Sequence, residues 1–141
     1  MLALLMIGGI AQASECNEVK GKVMYDKGNT QAAFRMLEDC TKKRDVAADT
    51  LMLLADLYEN TNVSKLTKEE ALRRSWSLKH NAAVKGNLHA LIEITKAYGQ
   101  GEEMRRIRPN PERHECLVRV VHGAAEHGKF ASDAVVACLK G

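Results

Sequence analysis

From residue 14 onward, apolar residues recur three and four positions apart, which is the periodicity of helices that bury one face. No stretch alternates apolar and polar residues for long enough to indicate a strand. Short polar or glycine-containing turns interrupt the pattern, for example at Gly28, Gly86 and Gly128. The sequence therefore predicts seven helices, near residues 16–27, 30–43, 46–59, 67–84, 88–99, 111–126 and 130–140.

Three of these helices start at recognisable capping residues. Asn29 or Thr30 can cap the second helix, because a side-chain oxygen there accepts a hydrogen bond from a free backbone N–H. Thr67 and Glu70 have the spacing of a capping box at the start of the fourth helix. Pro111 suits the first turn of the sixth helix, where the missing N–H costs nothing.

An internal repeat relates the fourth and fifth helices to the sixth and seventh. Residues 81–87 (NAAVKGN) recur as residues 123–129 (GAAEHGK), a period of about 42 residues. Ala82 and Ala83 allow an adjacent helix to approach closely, and Gly86 adopts helix-ending conformations that a Cβ disfavours. Each copy therefore predicts a tight antiparallel helix hairpin.

These residues resemble the Sel-one-like repeat (SLR) family, whose members are relatives of tetratricopeptide repeats. The family pattern has a tryptophan, an Ala-Ala pair and a turn glycine, followed by small, aliphatic and aromatic residues at steps of four. The central repeat matches at Trp76, Ala82, Ala83, Gly86, Ala90, Ile94, Tyr98 and Gly101. The resemblance covers about residues 26–141. The flanking units keep fewer matches than the central one, and such departures at the ends are typical of capping repeats.

The resemblance implies an all-α fold, an α-solenoid of antiparallel helix hairpins with about three repeats. One helix of each pair, here 46–59, 88–99 and 130–140, would line a concave surface on which a partner protein binds. The stripes of these helices built on Leu54, Ile94 and Val136 would face the core. Trp76 would pack under the neighbouring hairpin as a core residue.

The first residues have the features of an export signal. Residues 1–10 form a short apolar run, and Ala11-Gln12-Ala13 matches an A-x-A cleavage site, so we expect a signal peptide over residues 1–13. A buried N-terminal helix is the alternative. We expect residues 14–141 to form a single domain that is periplasmic or secreted, monomeric and not inserted in a membrane after cleavage.

The chain has four cysteines, and export favours disulfides between them. Of the three possible connectivities, the spacing favours Cys16–Cys40 and Cys116–Cys138, because each pair is separated by one helix, a turn and a second helix. A metal site at His114 and Cys116, with His122 and His127 nearby, is disfavoured. His114 and Cys116 lie two positions apart and so face different sides of a helix.

Composition and motifs narrow the function classes. The 141 residues are 45% hydrophobic and 28% charged, which is typical of a globular domain rather than a disordered tail. A net charge of +3 is too small to indicate nucleic acid as a partner. Phosphate-binding and hydrolase motifs do not occur, and Ser75 and Ser77 flank Trp76 within a helix, so we expect no catalytic residue, cofactor or metal.

Polar residues on the predicted concave helices are the candidate contacts. Asp49, Asp56, His89, Glu93 and Lys96 should reach solvent there and meet another protein. The competing site is an arginine-rich loop with Arg105, Arg106, Arg108 and Arg113, which nearby glutamates could instead leave solvated and balanced.

Two function hypotheses follow. The chain is an adaptor or regulator that holds a partner in its concave groove, or an inhibitor or immunity protein that blocks an exported toxin or enzyme. Some cysteine-rich members of the SLR family have been linked to β-lactam binding, so the resemblance also implies a hydrolase as a remote alternative.

Overall fold

The computed structural model describes residues 16–140, and the chain groups into two compact units. One unit ends at Asp45, and the other begins at Val46. The sequence predicted a single domain over residues 14–141. The expected signal peptide, residues 1–13, lies outside the described residues.

The described residues form seven helices and no named strand, and each helix begins and ends within two residues of its predicted bounds. Glu102 and Ile107 form an isolated antiparallel bridge in the connection 101–110. Between residues 16 and 140, no helix is both long and apolar enough to cross a membrane. The helices are α1 Glu18–Asp26, α2 Thr30–Lys43, α3 Ala48–Asn60, α4 Lys68–Val84, α5 Leu88–Gln100, α6 Pro111–His127 and α7 Ser132–Leu139.

The predicted caps are confirmed. At the start of α2, the Asn29 side chain accepts a hydrogen bond from the backbone N–H of Ala32. At the start of α4, the Thr67 hydroxyl accepts a bond from the Glu70 backbone N–H at 3.2 Å, and the Glu70 carboxylate accepts one from the Thr67 N–H at 3.1 Å. These contacts with Thr67 also lower the pKa of Glu70, because they stabilise its ionised form.

The first unit consists of α1 and α2, which pack against each other. The predicted bridge Cys16–Cys40 is confirmed, with the two Cα atoms 5.0 Å apart. Gly21 of α1 lies against Leu37 of α2, so that a Cβ added at Gly21 would be 2.6 Å from Leu37 Cδ2. Because Gly21 has no side chain, the two helices can approach closely at this point.

The second unit contains α3 to α7, and each of these helices packs against the next, while α4 also contacts α7. The alanines of the repeat are buried where helices meet, with Ala82, Ala83 and Ala90 inaccessible to solvent. The core is completed by larger apolar side chains, chiefly Leu54, Leu57, Leu78, Leu91, Ile94, Leu117 and Val135. The second predicted bridge, Cys116–Cys138, is confirmed and joins α6 to α7.

Two core predictions are wrong. Trp76 is half-buried rather than a core residue, because its ring lies at the edge of a groove described below. In α7 the fully buried residue is Val135, and Val136 is half-buried. The buried face of α7 is therefore shifted by one residue from the predicted one, and the bridge at Cys138 fixes which face turns inward.

Candidate functional site

A groove of about 460 Å³ lies between α4, α5 and the connection 101–110. We call it the polar groove, because acidic and basic side chains from four segments line it. α3 and α4 contribute one charged residue each, and α5 and the connection contribute two each. These charged residues are Glu59, Lys79, Glu93, Lys96, Glu102 and Arg105.

Glu59 is the centre of an ion-pair network in the polar groove. Its Oε1 accepts hydrogen bonds from Ser75 Oγ at 2.5 Å and from Lys79 Nζ at 2.7 Å, and it also contacts Nη2 of Arg105. Arg105 reaches Glu102 through its other terminal nitrogen. Three hydrogen-bond donors therefore converge on one carboxylate oxygen.

The two cations of this network are almost fully withdrawn from water. The side chains of Lys79 and Arg105 are 9% and 8% exposed. Burial lowers the pKa of the Arg105 guanidinium, because a charged group loses hydration in the protein. Such cations need paired carboxylates, and removing one partner of a buried pair is strongly destabilising. Glu59 therefore keeps both cations paired within the fold, and its loss would leave each of them with one carboxylate fewer.

Glu93 of α5 extends the network towards the surface. Its Oε2 lies 2.6 Å from Lys79 Nζ, and its Oε1 lies 3.1 Å from Nε2 of His89. Lys96, one turn further along α5, is exposed and forms no ion pair with any described residue. Among the cations of the polar groove, Lys96 alone is thus open to an external anion.

An aromatic cluster lies beside the polar groove. The Trp76 ring centroid is 4.6 Å from that of His80 and 5.6 Å from that of Tyr98. His80 Nε2 lies 3.2 Å from the Tyr98 hydroxyl, and Arg113 stacks over the Tyr98 ring at 5.0 Å. Burial and the nearby charge of Arg113 lower the pKa of His80 to about 4. His80 is therefore neutral near pH 7.

A second groove, of about 420 Å³, lies on the other side of α5, between α5 and α6. We call it the apolar groove, since most of the surface that its lining residues expose is apolar. It shares Lys96 and Gln100 with the polar groove, so the two grooves flank one ridge of α5. Its lining residues are Ile92, Thr95, Lys96, Gly99 and Gln100 of α5 and His114, Val118, Val121 and His122 of α6.

His114 fixes one end of the apolar groove. Its Nδ1 lies 2.9 Å from the backbone oxygen of Thr95, and because a carbonyl only accepts, Nδ1 carries the proton. The ring lies directly over Gly99, where an added Cβ would be 2.6 Å from His114 Nδ1. The close packing of α5 and α6 here depends on the missing side chain at Gly99.

The structure brings together three of the five predicted contact residues. His89, Glu93 and Lys96 lie on α5, with Glu93 and Lys96 lining the polar groove. On α3, Asp49 accepts a hydrogen bond from Asn87 Nδ2 at 2.9 Å, and Asp56 accepts one from Asn60 Nδ2 at 2.5 Å. Neither aspartate lines the two grooves described above.

The arginine-rich loop is not a uniform solvated surface. Arg106 is exposed and lies 3.3 Å from Glu69, as expected for a balanced surface charge. Arg105 is buried in the polar groove, so the prediction that it is solvated is wrong. Arg113 belongs to α6, where it contacts Tyr98 and donates to the backbone oxygen of Leu139 at 3.0 Å.

Sequence reasoning missed Glu59 and Lys79, and it also missed that Leu88 and Ile92 of α5 are exposed apolar residues. Glu59 and Lys79 lie on helices at positions where a charged residue is ordinarily solvated, and their partners are distant in sequence. The available signal was Ser75, a small polar residue one turn from Lys79 on the same face of α4.

The disfavoured metal site has no geometry to support it. Cys116 is bonded to Cys138, and His114 is held by Thr95. Across residues 16–140, no group of three or more His, Cys, Asp or Glu side chains is placed to hold a metal ion.

No protein-family model matches the chain, and neither the curated proteins nor the solved structures contain a match.

Proposed function

We propose that this chain is an exported protein-interaction module of the SLR type, which binds a partner protein across helix α5. One observation carries the proposal. Leu88 and Ile92, one turn apart on α5, are 42% and 45% exposed, and Ile92 also lines the apolar groove. Exposed apolar surface of this kind, bordered by polar residues, is typical of protein-binding sites.

The proposed architecture is a stack of helix hairpins within residues 46–140. The α4–α5 pair carries the most complete SLR match, and α6–α7 is its successor in the chain. The buried Ala82 and Ala83 and the left-handed Gly128 support this assignment, because they allow close helix packing and a tight helix end. The contact of α4 with α7 supports it too, since it joins the two pairs.

Export to the periplasm or the medium belongs to the same proposal. Two disulfides within the described residues are compatible with an oxidising compartment, where such bonds persist. The polar groove is compatible with a binding role for α5. Its cations Lys79 and Arg105 are already neutralised, so this groove supports the surface of α5 rather than offering a reactive centre.

The proposed contacts are the exposed positions on and beside α5. Leu88 and Ile92 supply apolar area, and His89, Glu93 and Lys96 supply a charged border. Asp49 is close to the start of α5 through its bond to Asn87, so it extends this border. Asp56 remains a predicted contact on α3.

Site-specific photocrosslinking in the cells that produce the chain tests the proposal. A benzophenone amino acid at Ile92 should give a defined adduct with another protein. The same group at Met104, an apolar position that is somewhat more exposed and lines neither groove, is the matched control and should give none. Absence of an adduct from Leu88, Ile92 and Lys96 alike would contradict a binding role for α5.

A further inference from the structure

We infer that the apolar groove between α5 and α6 accepts one face of an amphipathic helix of the partner protein, and that this helix carries acidic residues beside its apolar row. The inference rests on the proposed function and adds the chemistry of the partner. It depends on the spacing, shape and charge of the groove.

The spacing of the groove residues matches a helix face. On α5, Leu88, Ile92 and Gly99 follow one another at intervals of four and seven, which places them along one side of the helix. Val118 and Val121 of α6 form the opposite wall. From Leu88 to Gly99 the row extends about 16 Å, or three turns, at 1.5 Å per residue.

The shape favours a long occupant over a small molecule. A typical small-molecule site encloses most of its ligand. Here Ile92 is exposed, and Leu88 prolongs the apolar row beyond the groove towards the start of α5. At the far end, the His114 ring lies over Gly99 and terminates the groove. A docked helix that presents apolar residues at intervals of three, four and seven would cover this row and the valine wall together.

The charge of the groove decides what lies beside those apolar residues. The titratable side chains that line it are Lys96, His114 and His122, and no acidic residue is among its lining. Lys96 forms no ion pair with any described residue, so its charge is available to a partner. Glutamate or aspartate on the flank of the docked helix would complement Lys96, whereas lysine would be repelled.

Three synthetic peptides test the inference against the full, disulfide-bonded chain. Each has 18 residues and a fluorescent label. The first places leucines at intervals of four and seven, with glutamates on the flanks. The second replaces the glutamates with lysines, and the third scrambles the first. Fluorescence anisotropy should give a micromolar Kd for the first peptide and at least tenfold weaker binding for the other two. Equal binding of the first and the scrambled peptide would overturn the helix, and equal binding of the first and the lysine peptide would overturn the acidic flank.

Variants of the chain locate the binding. Ile92→Glu should weaken the first peptide at least tenfold. Lys96→Glu should weaken it at least fivefold and strengthen the lysine peptide. Met104→Glu is the matched control, an exposed apolar residue outside the groove, and should leave Kd within twofold. Unchanged binding in Ile92→Glu, with a native thermal melt, would overturn the inference.

Two further results separate this inference from the proposed function. A crosslinked partner at Ile92, together with no binding of the first peptide, would leave the binding module intact and overturn the acidic helix. Sedimentation should show a monomer for the chain alone. A dimer that Ile92→Glu dissociates would make a second copy the occupant and would also overturn the inference.

Discussion

The two grooves on either side of α5 differ in whether the groups that line them are paired within the chain. In the polar groove, nearly buried cations meet carboxylates from α3 and the connection 101–110, so the charges satisfy one another. In the apolar groove, Ile92 remains exposed and Lys96 remains unpaired among the described residues. The polar groove therefore holds charges that are already paired, whereas the apolar groove leaves the exposed surface that we propose for binding. In this protein, a charged lining does not by itself identify a ligand site.

Among the groove residues, the largest effect that tests this contrast is expected at Glu59. Glu59→Gln keeps the shape but removes the charge that faces Lys79 and Arg105, and we expect it to lower the free energy of unfolding by about 3 kcal/mol. Urea denaturation measures the change. Glu112→Gln, on the exposed first turn of α6, is the matched control and should stay within about 0.5 kcal/mol. A loss at Glu59 no larger than that of the control would mean that the network contributes nothing to stability.

Trp76 tests how far the aromatic cluster supports the polar groove. Because the ring is half-buried and contacts His80 and Tyr98, we expect Trp76→Ala to lower the free energy of unfolding by about 2 kcal/mol, less than a core tryptophan would lose. Trp76→Phe should recover most of that loss. A thermal melt identical to that of the parent would assign Trp76 to the binding surface instead.

His80 gives the same region a pH dependence. Its pKa is about 4 in the folded chain and about 6.5 in the unfolded chain, so the unfolded state takes up the proton first as the pH falls. Its contribution to stability is complete above pH 6.5 and is lost between pH 6.5 and pH 4. From pH 7 to pH 4.5, the parent should lose about 1.5 kcal/mol more than His80→Gln, after allowance for solvent screening at a half-buried ring. Parallel melting curves across this range would contradict the assignment.

The smallest effect is expected in the apolar groove. Ile92→Glu places a charge on an already exposed position of α5, so the free energy of unfolding should change by no more than about 0.5 kcal/mol. Ile94→Glu, two residues away but inaccessible to solvent, should prevent stable folding. Circular dichroism melts of the two variants compare the faces of one helix. A large loss from Ile92→Glu would mean that the row belongs to the core.

The sequence was sufficient for features that neighbouring residues determine. Helix periodicity, the Thr67–Glu70 capping box and the cysteine spacing predicted the helices and both disulfides, because each depends on local geometry. Glu102 is one of the nearby glutamates expected to balance Arg105, and this pairing is confirmed. The second partner, Glu59, could not be predicted, because it lies 46 residues away in sequence and meets Arg105 only through the packing of α3, α4 and the connection. α5 is apolar on several faces, at Leu91 and Ile94 as well as Ile92. Periodicity alone did not show which of those faces remains uncovered.

Each disulfide closes a covalent ring around a helix-to-helix turn. The Cys116–Cys138 ring contains the exposed Gly128 and Lys129, and the Cys16–Cys40 ring contains the exposed Lys27 and Gly28. A protease that cuts after Lys129 would therefore open the backbone without releasing α7, and the nicked protein would remain one molecule until its disulfides were reduced. In the proposed location outside the cell, where proteases are common and reductants are scarce, cleavage of a turn would break one peptide bond without detaching a helix.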